Sequence, residues 1–276
     1  MTPNRASNLN QFLDDTESQL GEQFVRDGYV IIPVDDMKIL TRLQVEIAKL
    51  AATLLNQSTP VDASQYLNGI AGNVSVDALN DFRLSMIGAI NRLDWLRPSY
   101  FALAKKALYV LAGNELVMQR RINLSIQMPK DESSLLPVHA DVWSGDSPFE
   151  VVVWLPLVDC YETKSMYILS PKRNAEIHAS IKTFANKSAE DLFQSIEPDV
   201  TFLNVPFGKA LIFSQNLLHG NRINREADTR WSMNCRFKSV FSPYVDKKLG
   251  EFFDPITLRA VTRMGLNYQL PTGLHD

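Results

Sequence analysis

The sequence predicts a mainly β protein with flanking helices, an antiparallel double-sheet jelly roll with its N-terminal helices packed on one sheet. Apolar residues recur at helical spacing through the first third of the chain. Beyond residue 114 the pattern becomes many short strands punctuated by Pro and Gly. The 276 residues, 45% of them hydrophobic, suffice for one large core, and no linker-like stretch divides them. One domain is therefore expected over 1–276: mostly helical over 1–114, a jelly-roll core over 115–245 and a C-terminal extension over 246–276.

Taken in order, Thr16-Glu17-Ser18-Gln19 reads as a capping box opening a helix that ends near Asp27-Gly28. Tyr29-Val30-Ile31-Ile32-Pro33 reads as a strand. From Met37 to about Asn56, Ile39, Leu40, Leu43, Ile47, Leu50 and Leu54 mark one helix face. Small and polar residues from Ser58 to Asn80 suggest a loop near the site. A further helix is expected from about Pro98 to Ala112, stopped by Gly113-Asn114. Strands follow at Leu116 to Met128, Phe149 to Leu157, Ser165 to Leu169, Ala210 to Phe213 and Arg230 to Val240.

A net charge of −3 argues against a nucleic-acid or polybasic membrane partner. No apolar run is long enough for a membrane span, and Met1 to Arg5 are polar, so no secretory signal is expected. Cys160 and Cys235 lie far apart, which fits a reducing cytoplasm better than a disulfide framework.

His139-Ala140-Asp141 carries the chemistry, with His219 eighty residues later and Arg230 eleven beyond that. Side chains at i and i+2 on a strand share a face, so His139 and Asp141 can reach one metal. Two imidazoles and a carboxylate on one face of an octahedral ion make the facial triad of non-heme Fe(II) oxygenases. The plainer alternatives are a His–Asp hydrogen bond in a loop and a structural histidine at the Gly220-Asn221 turn. His178, in a polar helical segment, and His275, beside the C-terminus, are poorer ligands.

Arg230, Ser232, Asn234 and Arg236 alternate with Trp231, Met233, Cys235 and Phe237. Such a strand either wets its polar face or lines a barrel interior with it; the nearness of His219 favours the second. Arg230 would then fork a carboxylate, with Ser232 beside it. Asn123, Ser125 and Gln127 repeat the pattern upstream, and Trp154 is a candidate pocket wall or plain core. Trp143, Asp146 and Arg236 are first candidates for substrate contact, against packing, a loop cap and a surface cation. Arg83, Arg92 and Arg97 can meet an anionic group, though solvated faces are the default for such residues.

These residues resemble the Fe(II)/2-oxoglutarate dioxygenases of the phytanoyl-CoA dioxygenase type, from Gly28-Tyr29-Val30-Ile31-Ile32-Pro33 to about Phe241. The resemblance implies a cupin-like double-stranded β-helix. It also implies iron on His139, Asp141 and His219, and the far carboxylate of 2-oxoglutarate on Arg230 and Ser232, with O2 as oxidant. Asn123, Gln127 and Trp154 would complete the cosubstrate pocket. His139 through Asp146 is similar to a bacterial subgroup found among carbohydrate-biosynthesis genes, which implies hydroxylation of a sugar derivative. Because Asp141 retains the carboxylate, hydroxylation is expected over halogenation. Thr163-Lys164-Ser165-Met166 stands where many relatives have an Asn-Gly turn, implying a different substrate contact. The other readings are the same chemistry on an acyl-CoA, lipid or amino-acid derivative, a non-catalytic sugar- or metal-binding sandwich, and a zinc hydrolase.

Overall fold

The protein is described by a computed structural model over residues 12–273, so Met1 to Arg5 and His275 lie outside the described residues. The first helix, α1 (Asp15–Asp27), is capped by Asp14 instead of Thr16. The Asp14 carboxylate accepts the Glu17 N–H at 2.9 Å, and Glu17 accepts the Asp14 N–H at 3.1 Å. The reciprocal pair satisfies two orphan donors and starts the helix one turn-fraction earlier. Gly28 ends α1 at φ 75°, a conformation that favours glycine. Strand β1 (Tyr29–Pro33) and helix α2 (Met37–Leu54) follow, with Leu40, Leu43, Ile47 and Ala51 buried.

The stretch expected to be a loop over 58–80 holds helix α3 (Ala63–Asn68) and the start of α4 (Val76–Ile90). Its Asp62 and Ser75 are N-caps, so residues typical of loops mark helix starts here. The helix expected from Pro98 to Ala112 is two, α5 (Leu96–Ala102) and α6 (Lys105–Leu111). Asp35 makes the break: its N–H bonds the Leu103 carbonyl at 2.9 Å, and its carboxylate caps the Lys106 N–H at 3.0 Å.

The strand expected over 116–128 is likewise two, β2 (Leu116–Gln119) and β3 (Asn123–Gln127). Asn91 interrupts it by bonding both backbone groups of Ile122 at 2.9 Å. The chain continues through β4 (Val151–Pro156), β5 (Tyr167–Leu169), α7 (Pro171–Ser180), α8 (Ala189–Ile196) and β6 (Val200–Phe202). It ends with β7 (Lys209–Ser214), β8 (His219–Gly220), β9 (Arg230–Ser239), β10 (Phe253–Pro255) and α9 (Ala260–Leu266).

Two antiparallel sheets form the jelly roll. The large one runs β1-β7-β4-β9-β2-β10, with β3 also on β9; the small one runs β6-β5-β8. The C-terminal segment is thus partly integral, because β10 pairs with β2. Helices cover one face of the large sheet. Trp231, fully buried on that face, donates its indole N–H to the Leu67 carbonyl at 2.8 Å and meets Phe82 edge-on at 6.2 Å. A smaller core under α7 and α8 gathers Tyr167, Ile177, Phe193 and Ile196. Both cysteines are buried and unpaired. Among the described residues no helix is long and apolar enough to cross a membrane.

Candidate metal and cosubstrate site

The opposite face of the large sheet, closed by the small sheet, encloses a cavity of about 500 Å3. His139 and His219 meet there as backbone partners. The His139 N–H donates to the His219 carbonyl at 3.1 Å, and the His219 N–H returns to His139 at 2.9 Å. A short 3-10 turn begins at Asp141 and brings its carboxylate back to the same point. One ligand atom each from His139, Asp141 and His219 lies within 4.8 Å of the others.

The imidazoles are set for metal binding by their own chain. His139 Nδ1 lies 2.8 Å from the Pro137 carbonyl, and His219 Nδ1 lies 2.9 Å from the Leu217 carbonyl. A carbonyl only accepts, so each Nδ1 carries the proton and each Nε2 keeps its lone pair for a cation. Burial, with His139 nearby, pushes His219 down to about 4, which keeps it neutral. At His139 burial acts the same way, but the Asp141 carboxylate and the Pro137 carbonyl outweigh it and raise the pKa. Burial also opposes the charge on Asp141; His139, His219 and Arg236 overcome it and hold the carboxyl well below its ordinary range.

Strand β9 supplies the rest. Its polar face lines the cavity with Arg230, Asn234 and Arg236, while Trp231, Met233, Cys235 and Phe237 enter the core. Arg230 is 4% exposed. It donates to Ser125 Oγ at 3.0 Å and to the Ser165 carbonyl at 3.3 Å, yet no carboxylate pairs with it among the described residues. Among the described residues its Nε, like Ser232 Oγ and Ser165 Oγ, is buried without a partner, though neither serine is part of the cavity lining. Burial pulls the guanidinium down to about 10, which leaves it a cation at neutral pH. A desolvated cation and orphaned donors are costly unless an anion satisfies them. The chemistry of this corner fits one end of a dicarboxylate, and the two imidazoles with Asp141 fit a divalent transition metal.

The remaining candidates divide. Asn123 lines the cavity and bonds Asn234 at 3.0 Å, and Trp154 lines it too. Gln127 is buried but outside the lining, its amide N–H turned to the Arg222 carbonyl at 2.6 Å. Trp143 is 46% exposed, stands against His178 at 5.9 Å and is not part of the lining. Asp146 and Arg236 line the cavity as a pair: Arg236 Nε is 3.1 Å from Asp146 and its Nη2 is 3.2 Å from Asp141. Two residues that support the site escaped the sequence. Lys247 grips Asp146 at 2.7 Å from the C-terminal segment. Gln215 accepts from Arg236 at 3.1 Å and donates to Glu150 at 2.7 Å. Neither carries a motif; only the fold brings them to β9.

No known family profile matches the chain, and no curated protein does. Solved structures do. A non-heme monooxygenase, the ThoJ–Ni complex, aligns with a TM-score of 0.53 at 15% identity over 85% of this chain and 82% of its own. AviO1 from Streptomyces viridochromogenes Tue57 aligns with a TM-score of 0.52 at 15% identity over 83% of this chain and 97% of its own. EvdMO1 aligns with a TM-score of 0.52 at 14% identity over 81% of this chain and 50% of its own. At these identities the likeness is one of fold: the chain shares the jelly roll on which a non-heme monooxygenase is built, and within it carries a His-Asp-His cluster.

Proposed function

We propose that the protein is an Fe(II)- and 2-oxoglutarate-dependent dioxygenase that hydroxylates a C–H bond of a small molecule. The observation that carries this is the unpaired, buried Arg230 in the same cavity as His139, Asp141 and His219. A zinc hydrolase or a passive metal-binding sandwich has no use for that arginine.

His139 and His219 would hold iron through Nε2, and Asp141 through its carboxylate. Arg230, with Ser232 and Ser125, would take the distal carboxylate of 2-oxoglutarate. Iron and 2-oxoglutarate held there would supply, with O2, the oxidising power for hydroxylation. The protein positions and shields. Arg236 holds Asp141 in place, and the Pro137 and Leu217 carbonyls fix both imidazole tautomers. Trp154, Phe213, Val152 and Met166 keep water from the reacting centre.

A carbohydrate or nucleotide-sugar derivative is the first substrate class to test, supported by the amides and hydroxyls of Asn123, Asn234, Asn221 and Ser134 along the cavity. The apolar wall also suits an acyl-CoA or lipid derivative. Two unpaired cysteines suit work in the cytoplasm.

The test is anaerobic titration of metal-free protein with Fe(II) and then 2-oxoglutarate, following the weak visible charge-transfer band of the chelate. The band is expected in wild type and should need far more 2-oxoglutarate in Arg230→Ala. Folded, iron-loaded wild type without a band would sink the proposal.

A further inference from the structure

We propose that the substrate carries an anionic group, a phosphate or a carboxylate, received in the cavity by Arg83 and Lys247. This rests on the oxygenase reading and deepens it. The ionisable lining residues besides the two histidines are four cations, Arg83, Arg230, Arg236 and Lys247, and two carboxylates, Asp141 and Asp146. Loaded as proposed, the metal corner is neutral: two charges of iron and one of Arg230 offset two of 2-oxoglutarate and one of Asp141. Arg83, Arg236 and Lys247 then face Asp146 alone. Asp146 is already shared, with Lys247 at 2.7 Å and Arg236 at 3.1 Å.

Among the described residues no other acid lines the cavity; buried Asp131 stands behind it, its carboxylate taken by the Ser134 hydroxyl at 2.7 Å and the Ser133 N–H at 2.8 Å. Glu150 is buried behind the wall, engaged by the Ser147 N–H and the Gln215 amide and faced by buried Lys238. Asp246 is exposed and outside the lining. Among the described residues Arg83 has one hydrogen-bond partner, the neutral Asn80 at 2.7 Å. It stands one helical turn before Ile87 on α4, and both side chains line the cavity. A half-enclosed cationic cluster of this kind selects an anion and raises its local concentration. The chain's net charge of −3 conceals it, because four cations and only two carboxylates line this one cavity.

The experiment is anaerobic calorimetry on Fe(II)- and 2-oxoglutarate-loaded protein at constant ionic strength. The probes are inorganic phosphate, acetate and uncharged glycerol. Phosphate or acetate is expected to bind and glycerol not to, the tighter anion identifying the headgroup. In Arg83→Gln and in Lys247→Gln the dissociation constant should rise about tenfold, worth roughly 1.4 kcal/mol. Arg83→Lys should recover most of the loss, and Arg92→Gln, exposed and outside the lining, should match wild type. Binding of neither anion, or equal binding by Arg83→Gln and Lys247→Gln, overturns the proposal. The two readings fail separately. A missing chelate band removes the oxygenase assignment, whereas the anion site is read again in metal-free Arg230→Gln, where Arg230 cannot capture the probe.

Discussion

Arg230 and Arg236 sit six residues apart on the same face of one strand, in opposite states of satisfaction. Arg236 is held by Asp141, Asp146 and Gln215. Arg230 is more deeply buried and has two neutral acceptors, with its Nε bonded to nothing. Arg236 is completed by the protein; on the proposed reading Arg230 is completed by a ligand. A buried charge therefore reports function by the partners it lacks, more than by its position in a motif.

The largest expected effect is on folding, at the satisfied end. Arg236→Leu takes the guanidinium from two buried carboxylates, of which Asp146 keeps Lys247 while Asp141 keeps no Lys or Arg partner, and should cost about 3 kcal/mol in urea unfolding of the metal-free protein. A loss near zero would mean that the Asp141 and Asp146 contacts contribute little. Arg230→Ala should do the reverse, leaving metal-free stability unchanged or improved while weakening 2-oxoglutarate binding about a hundredfold. If Arg230→Ala unfolds as readily as Arg236→Leu, the contrast between the two ends disappears.

Acidity should sharpen the contrast further. A metal competes with a proton at each imidazole, and the raised pKa of His139 makes that competition begin first there. His219, pushed down to about 4, stays neutral long after. Fe(II) affinity should thus fall about tenfold per pH unit below the His139 pKa, with the slope of one proton until His219 joins near its own pKa. A two-proton slope at mildly acidic pH would show that both histidines titrate together. Ser232→Ala should have the smallest effect, about 1 kcal/mol on 2-oxoglutarate binding. No change would leave Ser232 out of the carboxylate corner.

Much of this was legible because strand chemistry has a short period. The alternation from Arg230 to Phe237 assigns every side chain but fully buried Ser232, which is outside the lining, to the cavity or the core without knowledge of the fold. The i and i+2 spacing of His139 and Asp141 brings them together as expected, although His139 sits in an isolated bridge and Asp141 opens a 3-10 turn and not a strand. The helical layer was harder. The caps Asp62 and Ser75 look like loop residues until the helices behind them are known. Asp35 divides a continuous helical pattern from seventy residues upstream. Lys247, Gln215 and the inward turn of Arg83 depend on tertiary approach, which no periodicity encodes. Gln127 fits the alternation but spends its amide on the Arg222 carbonyl, a partner ninety-five positions away.

The paired backbone hydrogen bonds between His139 and His219 carry one more consequence. The chain between them is already closed into its loop by peptide groups, so a metal bound there as proposed would meet ligands whose ordering entropy has been spent during folding. Metal-free protein should accordingly keep its shape and bind its ion by a fast, simple association with no conformational lag.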